Sequence, residues 1–122
     1  MIGSTLSTLV ALAFVGLGAG SFVAPHALAK NYGLPISDAT GVAYVRALGM
    51  RDLVLGLLVG AFLVARVPRG VLGITIALCA LVGAGDFTLV ATTSGANRKG
   101  LPIHGAGTAG LIVIWAFLRG GR

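Results

Sequence analysis

The 122-residue chain has only three acidic side chains, and two of them, Asp52 and Asp86, lie inside apolar runs. Asp52 directly follows Arg51 in the stretch Tyr44-Val45-Arg46-Ala47-Leu48-Gly49-Met50-Arg51-Asp52. An ionised side chain at the centre of a bilayer costs roughly 2.5–3.5 kcal/mol on insertion scales. A chain that keeps such groups must pair them, hydrate them or use them. Two carboxylates sharing one guanidinium can hold different protonation states. That is what general acid–base chemistry on a buried substrate requires. One of Asp52 and Asp86 would act as base on water or substrate and the other as acid. Arg51 would hold both, and Tyr44 would donate a hydrogen bond to the substrate. These four are the candidate catalytic residues. His104 and His26, at the helix ends toward which a pocket would open, are candidate substrate-binding residues. So is Arg46, which points roughly the other way, lies closer to the helix start and could snorkel to the headgroups.

Other chemistries find less in the sequence. His26, His104 and the aspartates do not fall at a recognisable metal-ligand spacing, and Arg51 opposes a cation, so no metal site is expected. No phosphate loop, nucleophile elbow or HExxH is present, and no cofactor is implied. Cys79 is the single cysteine, which rules out an internal disulfide and reads as a packing thiol in an apolar run.

The elements that must position these groups are helices. The chain is 57% hydrophobic and 10% charged, against about a quarter charged for a soluble domain. Four stretches of spanning length, about 3–24, 41–65, 71–92 and 103–118, predict an all-α, four-helix transmembrane bundle in up-down-up-down order. The whole chain, 1–122, reads as a single integral membrane domain at the cell membrane. Pro25, Pro35, Pro68 and Pro102 all fall in connections, as unbroken spans require. The pairs Gly16/Gly20 and Gly56/Gly60 have GxxxG spacing and could seat a neighbouring helix or a homodimer partner.

The connections carry their own signals. Ala27 to Tyr32 predicts a short interfacial helix, with Lys30 and Tyr32 at the headgroup level. Tyr32-Gly33-Leu34-Pro35 reads as a turn, and Ser37 or Asp38 as the cap of the next helix. Thr92 to Pro102 reads as a polar loop. Ala27-Leu28-Ala29 resembles a signal-peptide cleavage site, but no Lys or Arg precedes the apolar run and the run is long enough to span, so an uncleaved helix is expected.

The formal charge is +6. Arg46, Arg51, Asp52 and Asp86 cancel within the spans, as do Lys30 and Asp38. The excess comes from Arg66, Arg69, Arg98, Lys99, Arg119 and Arg122, all in short connections or at the C-terminus. That is the distribution of topology-setting charges and not of a nucleic-acid surface, so nucleic acid is not an expected partner. Four basic residues on the side of the termini against three opposite place both termini in the cytoplasm. Alternating spans then put Tyr44, Arg51, Asp52, Asp86, His26 and His104 in one half of the bilayer. Arg51 and Asp86 should differ in depth by roughly 5 Å, from the rise per residue, within reach of an arginine side chain. The expectation is a polar pocket in that half and a dry apolar plug in the other.

Tyr32-Gly33-Leu34-Pro35, then Ala47-Leu48-Gly49-Met50-Arg51-Asp52, then a lone Asp86, resembles an uncharacterised family of small four-helix membrane proteins, similar in layout to the DoxX-like group. The resemblance covers most of the chain, rests chiefly on Gly-x-Arg-Asp, and implies the four-helix fold without an activity. In chemistry alone, Asp52, Arg51 and Asp86 are similar to the Asp–Arg–Asp set with which soluble limonene-type epoxide hydrolases activate water. The resulting expectation is a small membrane enzyme, a hydrolase, isomerase or cyclase, acting on a lipophilic small molecule such as an epoxide in the lipid bilayer. The alternatives are a proton-coupled transporter or channel subunit, and an accessory protein in which the ion pairs fix helix register.

Overall fold

The computed structural model describes residues 2–120; Arg122, one of the expected anchoring charges, lies outside them. Five helices follow in order: α1 (Ile2–Val23), α2 (Pro25–Tyr32), α3 (Ala39–Val64), α4 (Arg69–Thr92) and α5 (Leu101–Gly120), with a 3₁₀ turn at Arg98–Gly100 before α5. There is no strand among the described residues. Helices α1, α3, α4, and α5 with its preceding turn, are long and apolar enough to cross a membrane. The protein is thus a multi-pass membrane protein by length and composition. In lipid, only a helix or a closed barrel satisfies every backbone polar group from within.

The helix ends follow local chemistry. Asp38 caps α3, its Oδ1 accepting from Gly41 N at 2.7 Å, which satisfies one of the four orphan donors of the first turn. Helix α2 ends in a Schellman motif at Gly33. Leu34 N donates to Ala29 O and Gly33 N to Lys30 O, and Gly33 takes the left-handed φ of 106° that this motif needs. The same motif closes α3 without a glycine. Val67 N donates to Phe62 O and Arg66 N to Leu63 O, and Arg66 carries the positive φ of 52°.

Three expectations about the connections change. The interfacial helix starts at Pro25 and not Ala27, because proline is preorganised for the first helical position and its missing N–H has no partner there to lose. Pro102 lies in the first turn of α5 and not in a connection, for the same reason. The Thr92–Pro102 segment is only partly a loop, since it contains the 3₁₀ turn, in which Asn97 Oδ1 accepts from Lys99 N at 3.1 Å.

The spans pack as two close antiparallel pairs, α1 with α3 and α4 with α5, and the pairs stand further from each other. Glycine sets the α1–α3 distance. A Cβ added to Gly18 would lie 2.6 Å from Leu53 N, one on Gly56 would lie 2.7 Å from Ala11 O, and one on Gly49 would collide with Ser21. Gly16 and Gly60, by contrast, face open space. Neither GxxxG pair therefore forms the seam as a unit. The seam runs through Gly18, Gly49 and Gly56, and Gly56 is already filled by Ala11 and Val15 of the same chain.

Gly3 lies against Leu118 and Arg69, so the starts of α1 and α4 share one end of the molecule with the end of α5. In that half the four spans meet in a packed apolar core containing Val10, Val59, Leu72, Ile76 and Leu118. Toward the other end the pairs part, and α2 closes the gap. Helix α2 is held there by Asn97 N donating to Gly33 O at 2.7 Å and by Gly100, which packs against the Tyr32 carbonyl.

Candidate functional site

The space between the pairs is a cavity of about 470 Å³. Its walls are apolar, with Phe14 and Leu17 from α1, Val45 and Leu48 from α3, Val82 from α4 and Leu111 from α5. Leu28, Ala29 and Tyr32 of α2 form its lid. Tyr44 and Ile103 line it yet are 70% and 61% exposed, so they mark where the cavity meets its surroundings. Cys79, fully buried, lies at the inner end, where the cavity gives way to the apolar core.

Arg51, midway along α3, dominates the polar wall. Its guanidinium takes Asp86 end-on: Nη1 donates to Oδ1 at 3.1 Å and Nη2 to Oδ2 at 3.0 Å. It takes Asp52 from the side, with Nε donating to Oδ1 at 3.0 Å and Nη2 lying 2.9 Å from the same oxygen. This is the bidentate geometry that a rigid planar donor favours. The three side chains are 31%, 16% and 15% exposed for Arg51, Asp52 and Asp86, so the cluster borders the cavity without being sealed. The expected reach of Arg51 across the gap in depth to Asp86 is met.

The two carboxylates differ. Both oxygens of Asp86 are engaged by the guanidinium. Asp52 uses Oδ1 only. Its Oδ2 bonds to nothing among the described residues and is not one of the buried, unpartnered atoms. One cation also serves two carboxylates, so when both are ionised the cluster carries one uncompensated negative charge. A single proton on either carboxylate brings the cluster to neutrality.

Of the other expected residues, Tyr44 lines the cavity at its rim and is not packed beside the cluster. His104 lines the cavity too. Its Nε2 lies 2.8 Å from Tyr32 O. A carbonyl can only accept, so Nε2 carries the proton and donates. The His104 and Tyr32 rings meet edge to face, with centroids 4.4 Å apart. His104 thus ties the lid to α5.

His26 and Arg46 do not join the cavity lining. His26, in the first turn of α2, is exposed and points to Ile36 O at 3.4 Å. Arg46 is exposed. It precedes Arg51 by five residues and Asp52 by six, which is about 140° and 120° around an α-helix. Among the described residues no three His, Cys, Asp or Glu side chains gather as a metal site would need.

Tyr32 and Thr108 are two lining residues whose place in the site the sequence reading missed. Tyr32 was expected at the headgroups but turns inward from the lid. Its hydroxyl is buried and completes no hydrogen bond of strict geometry, but it lies near enough to Asp86 for that carboxylate to act on it as an acceptor. Burial, and then the nearby Asp86 charge, push its phenol well above the ordinary value near 10.0. Thr108 Oγ1 is likewise buried and unpartnered, whereas Thr8, Thr75 and Thr88 each donate back to the carbonyl four residues earlier. A signal for Thr108 was available: His104, Thr108 and Leu111 repeat at four and seven residues and share one helical face. Tyr32 follows the buried Ala29 by three, but so short a helix shows no clear period.

No curated protein and no solved structure matches the chain. Residues 11–119 match the model described as Domain of unknown function (DUF4267). That span takes in α2, the cavity and the Arg51 cluster, and the chain belongs to this family.

Proposed function

We propose that this protein is a small integral membrane enzyme that carries out cofactor-independent acid–base chemistry on a lipophilic small molecule. The observation that carries the reading is the inequality of the carboxylates. Asp86 is saturated by Arg51, whereas Asp52, which lines the apolar chamber, has no protein partner on Oδ2. In this reading Asp86 remains an anion that fixes the guanidinium. Asp52 moves the proton, taking it from water or from a substrate carbon and returning it to the product. In a hydrolysis, the water oxygen bonds to carbon, the carbon–oxygen bond of the substrate breaks, and the proton held by Asp52 passes to the freed oxygen. In an isomerisation, the same carboxylate removes a proton at one carbon and delivers it at another. Tyr32, and not Tyr44, is the hydroxyl placed to assist beside Asp86.

The packed core behind Cys79 closes the inner end of the cavity, which favours turnover in a blind chamber over passage through the bundle. The reading places the basic end, with Arg66, Arg69 and Arg119, in the cytoplasm by the positive-inside rule. A homodimer in this arrangement would use the open face at Gly16 and not Gly56.

The test compares lipid extracts by mass spectrometry from cells expressing the native chain, Asp52→Asn or Asp86→Asn, with each protein's amount and folding checked by size-exclusion chromatography. Loss of general base function lowers turnover by about 10²–10⁴-fold. A species consumed or produced by the native chain should therefore be unchanged in cells carrying folded Asp52→Asn. If no species differs between cells with and without the native chain, the enzyme reading is wrong and the cluster is a helix staple.

A further inference from the structure

We infer that the cavity selects an uncharged lipophile bearing a hydroxyl or other oxygen head, with the head at the Arg51 cluster and the apolar body against α1, α3 and α5. The inference rests on the proposed function only in treating the cavity as a ligand site. Size sets the body. At about 30 Å³ for each water-sized group, a volume of about 470 Å³ takes roughly fifteen non-hydrogen atoms.

The wall sets the head. Asp52 Oδ2 is an acceptor with no protein partner. Of the lining residues, Thr108 Oγ1 is a donor with none, and Tyr32 Oη is a donor that leans on Asp86 without a well-formed bond. Leaving a buried donor unpaired is unfavourable because it loses its bond to water and gains none in return, and a ligand oxygen that draws these hydroxyls toward it recovers part of that loss. Both signs of charge stand at one place, with Arg51 still partly exposed beside Asp52. A carboxylate head would face two aspartates and an ammonium head would face the guanidinium. A hydroxyl both donates and accepts, and suffers neither repulsion.

The experiment uses the full chain in phosphatidylcholine nanodiscs and four probes with one carbon skeleton: farnesol, farnesylamine, farnesoic acid and the saturated hydrocarbon farnesane. Retention on protein-bearing discs is measured against empty discs, alongside the thermal unfolding midpoint. Farnesol should be retained above the empty-disc level and raise the midpoint, and the other three should be retained at least about tenfold less. Thr108→Val, which preserves shape, and Tyr32→Phe should each weaken farnesol retention by about fivefold or more.

Equal retention of farnesane shows that no head is read and overturns the inference. Preferential retention of the amine or the acid overturns it in favour of a charged head, and retention of none of the four overturns it outright. The two proposals fail separately. Farnesol retained through Thr108, with cell lipids unaltered by Asp52→Asn, sinks the enzyme reading alone. Altered lipids without farnesol retention sink the head-group inference alone.

Discussion

The two halves of the bundle are built from the same four helices yet solve different problems. In the half holding the start of α1 and the end of α5, the pairs close on each other around Ile76, Val59 and Leu118, with Ile76 and Val59 fully buried. In the half beneath α2 the pairs stand apart around a cavity, and the one direct ionic link described between α3 and α4 is the Arg51–Asp86 pair. Apolar packing would have closed the second half as well as the first, since lipid tails and leucine are equally apolar and contact is what drives span association. A hollow half that retains three ionisable groups is therefore a departure from what stability alone selects, because replacing a buried ion pair with apolar residues is often neutral or stabilising. The closed half supplies the fold and leaves the other half free to stay open.

Substitutions in each half test that contrast. A large stability effect, comparable to that of a void in the packed core, is expected from Arg51→Met, which leaves Asp52 and Asp86 facing each other without a cation. About 3 kcal/mol is expected, the low end for breaking a buried pair, because the guanidinium is partly exposed. Unfolding in detergent should show the loss, and adding Asp52→Asn and Asp86→Leu in the same chain should recover most of it. In the closed half, Ile76→Ala should cost about 2–4 kcal/mol by leaving a void, and ligand retention by the folded fraction should be unchanged. If Ile76→Ala is neutral, that half is not the packed core described.

A smaller loss, about 1–3 kcal/mol from overpacking, is expected for Gly49→Ala, whose methyl would press on Ser21. Gly60→Ala, facing open space, should be silent in the same unfolding assay. The smallest effect is a pH dependence. A phenol held protonated by burial favours the folded state fully below its ordinary value near 10.0, and that contribution falls as pH rises above it. Tyr32→Phe should therefore flatten the alkaline loss of stability above about pH 10 and leave the profile near neutrality as it was.

Much of this was legible in the chain because spanning helices are local objects. Twenty or so apolar residues between prolines and charges suffice, and every backbone hydrogen bond closes within the segment. The depth at which Arg51, Asp52 and Asp86 gather also followed, since alternating spans and a fixed rise convert sequence position into height. The rotation of side chains about each helix was less secure. His26 was expected at the site because it shares its level, but it points to Ile36 O. Arg46, a candidate for holding substrate, stays off the cavity lining, as its position on the other side of the helical wheel implies. Tyr32 was expected outside, and the docking of α2 onto Asn97 and His104 turns it inward.

The apolar runs and charges of the chain specified four spans, with ends within two residues of those observed, and the pairing of an intramembrane arginine with carboxylates, since each follows from short-range geometry or from the cost of a bare charge in lipid. Only the tertiary structure decided that α1 pairs with α3 and α4 with α5, that the pairs part beneath α2, and that Asp86 is saturated while Asp52 keeps an oxygen free. Those outcomes depend on which glycines let backbones approach and on where one planar guanidinium finds its partners. They are relations between distant segments that no local pattern encodes.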